Sequence, residues 1–152
     1  MNYVISKLDE AGGGLNLLKL QKLMFYIQAW HLALKGEPMF LGKFQAWVHG
    51  PVNRSLYDRF CQTHMMYAPI SAKDINATDP AAALSTDAID HINEILDAYA
   101  SYSGPQLEKM THDEDPWVIA RGGLSPTARC ETEIDEGLMA EFYKNALEQA
   151  NK

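Results

Sequence analysis

Leu20, Leu23, Met24, Ile27, Trp30, His31 and Leu34 recur every three or four residues, the spacing that sets one stripe of a helix against a core. Asn16 stands where an N-cap belongs, Gly36 is placed to end the helix, and Pro38 cannot resume it. A shorter helix with Val4, Ile5 and Leu8 is predicted over Asn2 to Glu10; Gly12, Gly13 and Gly14 then lose too much backbone entropy to continue it. Phe44, Ala46 and Val48 alternate with Gln45, Trp47 and His49, the period of two that marks a strand, and Gly50 and Pro51 are expected to break it. Asn53 is a cap for a third helix facing inward through Leu56, Tyr57 and Phe60. A lone strand leaves backbone groups unpaired, so a second one is expected around Tyr67 to Ile70.

In the second part of the chain, Ser85 or Thr86 opens a helix with Ile89, Ile92, Leu96 and Tyr99 on one side and Asp87, Asp90, Glu94 and Asp97 on the others. Ser103 and Gln106 have the spacing of a capping box. Thr111 and Glu114 repeat that spacing just before Asp115, expected to cap, and Pro116, suited to a first helical position, so two short helices should meet at His112. Gly122 to Glu133 reads as a loop. Asp135 caps a final helix from Glu136 to Ala150, with Leu138, Met139, Phe142, Tyr143, Ala146 and Leu147 as its apolar side. The expected fold is mostly α: a compact single domain over residues 1–152, with about six or seven helices and a small β-hairpin or short strand pair.

Charge changes this picture more than composition does. The net charge is −7, yet the residues up to Lys73 hold eight Lys or Arg against four acidic ones, and those from Asp74 onward hold five against sixteen. The stretch from Asp74 to Glu108 has no Lys or Arg, and reads either as a solvated face or as an acidic face for a basic partner. Net acidity argues against nucleic acid, with Lys19, Lys22, Arg54 and Arg59 as the residues available for a local basic patch. No apolar run is long enough to span a bilayer, the opening residues lack the pattern of a signal segment, and Cys61 and Cys130 lie far apart. A cytoplasmic protein with free thiols is expected, without membrane association and compatible with a homo-oligomer.

No cofactor is implied and no catalytic set is evident. Cys61 and His64 form a Cys-x-x-His pair, but a structural zinc site needs four ligands, and Cys130 and His91 are poorly spaced to complete one, so no metal is expected. There is no phosphate-binding Gly-rich loop, no His-Glu-x-x-His and no Gly-x-Ser-x-Gly. His31 reads as a core or groove residue, and His112 as a hydrogen-bonded pin between two short helices. Trp47 is out of phase with Phe44, Ala46 and Val48, so it faces the other, half-exposed side of its strand beside His49, Arg54 and Tyr57. That is the composition of an interface hot spot.

The segment KLQKLMFYIQAWHLAL, followed by AWVHGPV, LYDRF and SGPQLEKMTHDEDPW, resembles the Panacea domain, also known as the SocA-like or phage-associated GepA-like antitoxin family. The likeness runs from Lys19 to the last helix, where Ile134-Asp135 and Phe142-Tyr143 look like the family's usual ending; Met110 stands where Leu is common, a volume-conserving change. The resemblance implies an intracellular antitoxin of a toxin-antitoxin pair that neutralises a cognate protein toxin by direct binding, not an enzyme. The candidate partner-binding residues are Trp47, His49, Gly50, Pro51, Arg54 and Tyr57, joined by His112, Asp113, Pro116 and Trp117. The alternatives are an adaptor delivering a partner to a protease and a histidine-dependent enzyme using His31, His49 or His112.

Overall fold

Helix α2, Leu17–Lys35, is the axis of the molecule. The structure is a computed structural model describing Met1 to Lys152. Around that axis lie α1 (Asn2–Glu10), α3 (Arg54–Phe60), α4 (Thr86–Tyr99), α5 (Gly104–His112), α6 (Asp115–Arg121) and α7 (Glu136–Ala150), with strands β1 (Phe44–Trp47) and β2 (Gly50–Asn53). The fold is thus mostly α with one small hairpin, as the periodicities predict.

Local signals set the helix ends. Asn16 accepts from the Lys19 amide at 2.8 Å, Asn53 from Leu56 at 3.1 Å and Asp135 from Leu138 at 2.8 Å. Ser103 and Gln106 form a reciprocal capping box, and Gly36 ends α2 in the left-handed region. At α6 the expectation fails: Glu114 occupies the cap position without a side-chain bond, and Asp115 is the first helical residue.

The single buried stripe expected of α2 is also corrected. Every residue from Leu17 to Ala29 is buried, because α4, α5, α7 and β2 surround the helix, whereas Trp30 and His31 are half-buried and Leu34 is exposed. Polar side chains survive there because each finds main chain from another segment. Lys19 reaches the Ala100 carbonyl at 2.6 Å, Gln28 holds Met39 and Phe40, and Gln21 and Lys22 hold β2.

Strands β1 and β2 pair antiparallel from Phe44↔Asn53 to Trp47↔Gly50, with Val48 and His49 as the turn. Gly50 and Pro51 therefore begin the second strand and do not end the sheet. Gly50 sits at φ +99°, open to glycine without strain, and Pro51 can enter a strand whose edge needs no donor from it. The expected partner around Tyr67 to Ile70 runs elsewhere: Ile70 bonds to the Leu15 carbonyl at 2.9 Å, Met66 accepts from Leu18 at 3.0 Å, and Pro69 forms one bridge with Asn16.

Both hairpin edges are closed. Along β1, Ala46 donates to Thr132 at 2.9 Å and Phe44 accepts from Ile134 at 2.7 Å. Along β2, Gln21 exchanges two hydrogen bonds with the Asn53 main chain, at 2.9 and 3.1 Å, while Lys22 donates to the Pro51 carbonyl at 3.1 Å. Two helical side chains thus stand where a third strand would. That removes the unpaired edge an isolated hairpin exposes.

A cluster of 28 buried residues forms the hydrophobic core and includes α1, α2, the hairpin and α7. Tyr26 stacks on Tyr99 at 4.1 Å, and its hydroxyl donates to Glu114 at 2.5 Å alongside that of Tyr143 at 3.1 Å. Burial pushes the Glu114 carboxyl above its ordinary range, partly offset by these two donors. No helix is long and apolar enough to cross a membrane.

Candidate functional site

The two-residue turn directs Trp47 to the side of β1 away from buried Phe44 and Ala46, where it is half-buried. Its indole meets Tyr57 of α3 edge to face at 4.9 Å, and the Arg54 guanidinium lies 5.7 Å from the Trp47 ring and 5.8 Å from Tyr57. These distances suit cation–π attraction, which fixes the arginine without burying it. The three side chains form one wall of a cleft of about 640 Å³ between the start of α2, the hairpin, α3 and residues 129–131. Leu18, Val52 and Met66 line its apolar part; Arg129 and Glu131 complete its mouth. Glu131 lies 2.8 Å from Arg129 and 3.7 Å from Arg54, whose Nε also pairs with Asp58 at 3.2 Å. That ion pairing holds the exposed Glu131 carboxyl below its usual range, chiefly through Arg129.

Beneath the hairpin lies a buried polar group that connects the two halves of the sequence pattern. Lys22 is 1 % exposed, and desolvation lowers its ammonium to about 7 despite the attraction of Glu108. It is accommodated because Gly50 has no side chain: a Cβ there would lie 2.4 Å from Lys22 Cε and 2.9 Å from Thr111 Oγ1. Thr111 donates to the Glu108 carbonyl at 2.7 Å, and the Glu108 carboxylate reaches His49 Nδ1 at 2.6 Å. His112 stacks on Trp117 at 4.1 Å, and burial lowers its pKa, partly offset by Glu108 and by a hydrogen bond to the Val48 main chain.

Helix α6 fastens the other face of the hairpin. Trp117 Nε1 donates to the Trp47 carbonyl at 2.8 Å, and Arg121 donates to the Ala46 carbonyl at 2.9 Å while lying over the Trp117 ring. Arg121 also collects the Ser125 and Ala128 carbonyls at 2.8 and 2.6 Å, which folds the following loop back toward the cleft. Main-chain carbonyls on both strands are therefore gripped by side chains from α2 and α6, and Trp47 is displayed from a fixed backbone.

Of the candidate residues, Trp47, His49, Arg54 and Tyr57 line the cleft together. Gly50, Pro51, Pro116 and Trp117 are buried, His112 is half-buried, and Asp113 is exposed with Lys109 as its partner at 2.9 Å. The basic patch proposed from Lys19, Lys22, Arg54 and Arg59 does not form, because both lysines are inside α2's packing and Arg59 reaches the Asp74 carbonyl at 2.5 Å. His31 bonds to the Glu37 carbonyl at 2.7 Å and contacts His91. Cys61 and Cys130 are free thiols, and no cluster of His, Cys, Asp or Glu has the geometry to hold a metal. The acidic side chains of α4 that the sequence sets off its apolar stripe are solvent-exposed.

Sequence reasoning missed Gln21, Glu108, Thr111 and Arg121, together with the buried role of Lys22. The available signal was the polar residue inside an apolar helix: Gln21 and Lys22 interrupt the hydrophobic run of α2 at positions that demand a partner once buried.

A family model described as antitoxin SocA-like, Panacea domain matches residues 20–118, from the axial helix through the hairpin and α5 into α6. No curated protein and no solved structure gives a significant match.

Proposed function

The chain belongs to the antitoxin SocA-like, Panacea domain family, and from that premise we propose that it neutralises a cognate protein toxin by direct binding at the cleft beside Trp47. The observation that carries this reading is the Trp47, Tyr57 and Arg54 wall: a half-buried aromatic pair and a guanidinium, held on a hairpin whose backbone is clamped from two sides. Preorganised aromatic and arginine side chains beside an apolar pocket supply binding energy with little ordering cost. Gly50, Pro51, His112, Pro116 and Trp117 serve the same site from within, by fixing the hairpin, while His49 contributes at its polar rim. Neutralisation by contact calls for no catalytic group.

The test is co-expression of the chain with the product of its neighbouring reading frame. The expected result is rescue of growth and co-purification of a complex, both lost with Trp47→Ala. Neither rescue nor a complex from the unaltered chain sinks the proposal. Rescue that disappears in hosts lacking cytosolic proteases instead supports delivery by an adaptor.

A further inference from the structure

We infer that the cleft takes an acidic segment of the partner, with an apolar side chain over Leu18, Val52 and Met66 and a carboxylate between Arg54 and Arg129. This rests on the reading of the cleft as the partner-binding site and specifies the chemistry that fills it.

The chain carries −7 overall, yet the exposed charged residues lining the cleft are Arg54 and Arg129 against Glu131 alone, since Lys22 is buried beneath the hairpin. A local cationic mouth on an acidic molecule selects an acidic partner and steers its approach. Glu131 points to the same ligand by its position. Its carboxylate already lies between the two guanidinium groups, at 2.8 and 3.7 Å, and so marks where an incoming carboxylate would be received. All three groups are exposed, with the Arg129 side chain at 86 %. Exchanging this surface pair for an intermolecular one costs little, since exposed ion pairs are weak.

Asp58 satisfies Arg54 from outside the cleft and leaves the guanidinium in place over Trp47. A protein segment suits the site better than a nucleic acid. The cleft floor is aliphatic, its cations form one pair and no extended track, and a pI near 5.1 opposes a polyanion. In the free protein Glu131 thus acts as a competing internal ligand.

The experiment titrates the full chain with a short fluorescein-labelled peptide alternating Leu and Glu, its Gln-for-Glu and Lys-for-Glu counterparts, and a labelled oligothymidylate, reading the anisotropy of the label. The expected result is binding of the acidic peptide, weakened about tenfold by Arg54→Glu with Arg129→Glu and tightened about threefold by Glu131→Gln. Binding of the Lys peptide or the oligothymidylate as tight as that of the acidic one overturns the inference. So does indifference to all three substitutions, or no binding of the acidic peptide at millimolar concentration. Growth rescue separates the two readings. If the double arginine variant still neutralises the toxin, the charge inference alone falls; if the unaltered chain fails to neutralise, the antitoxin reading falls and the peptide result stands by itself.

Discussion

Lys22 Nζ lies 3.1 Å from the Pro51 carbonyl oxygen, and this bond joins the buried middle of α2 to the strand that follows the Val48-His49 turn. It relates two motifs that are separate in the sequence. The space for the lysine exists because Gly50 lacks a side chain, and Thr111 closes the far side. The helix, the glycine corner and the α5 segment therefore constrain one another through a single buried amine.

That amine makes stability depend on pH in a defined direction. Burial lowers Lys22 to about 7 in the folded state, whereas an unfolded lysine titrates near ~10.4. Between those values the unfolded chain holds the extra proton, so raising pH favours folding, by at most about 1.4 kcal/mol per pH unit. Urea unfolding between pH 6 and 10 should show stability rising relative to Lys22→Met, which lacks the titration. Parallel curves for the two proteins rule the mechanism out.

Gly50→Ala should destabilise the fold by about 2–4 kcal/mol, combining a strained positive φ with a clash in a packed interior. Gly123→Ala is the control, since its added Cβ meets nothing within 4 Å, and it should stay within about 0.5 kcal/mol. Chemical denaturation of both decides the matter; equal midpoints would mean that Lys22 moves aside without cost.

Glu114→Gln keeps an oxygen to accept from Tyr26 and Tyr143 and removes a buried charge. Because the folded carboxyl is raised, the stability linked to its protonation is full below the unfolded value near ~4.3 and declines as pH rises through the folded one. The Gln variant should lack that decline and be as stable as the parent, or more so by about 1 kcal/mol, at neutral pH. Glu114→Ala should lose about 2 kcal/mol by leaving two hydroxyls unpaired. Thermal melts that place the Gln variant as low as the Ala variant contradict the assignment.

Trp47→Ala should weaken toxin binding by about 2 kcal/mol or more while the chain stays folded, because the indole covers the cleft and not the core. Calorimetric titration of the purified pair, with circular dichroism of the free variant, separates the two effects. Unchanged affinity would move the interface off this cleft.

Each reading that survived from sequence to structure rests on local physics. Caps at Asn16, Asn53, Ser103 and Asp135 act within three residues, and helical periodicity depends on neighbours one turn away, so the sequence by itself determined the helices, most of their ends and the ordered motifs by which the family is recognised. It also separated Trp47 from the inward side of β1, since alternation is intrinsic to a strand. What only the tertiary structure decided was who pairs with whom. Gly50 and Pro51 look like breakers because the sequence cannot show that Gln21 and Lys22 will satisfy the strand they begin, and Lys22 looks like a surface charge because its partners lie 29 residues away at Pro51 and farther still at Glu108 and Thr111. Burying a polar group is costly unless a partner is already in place, and that partner is supplied by long-range packing that no local pattern encodes.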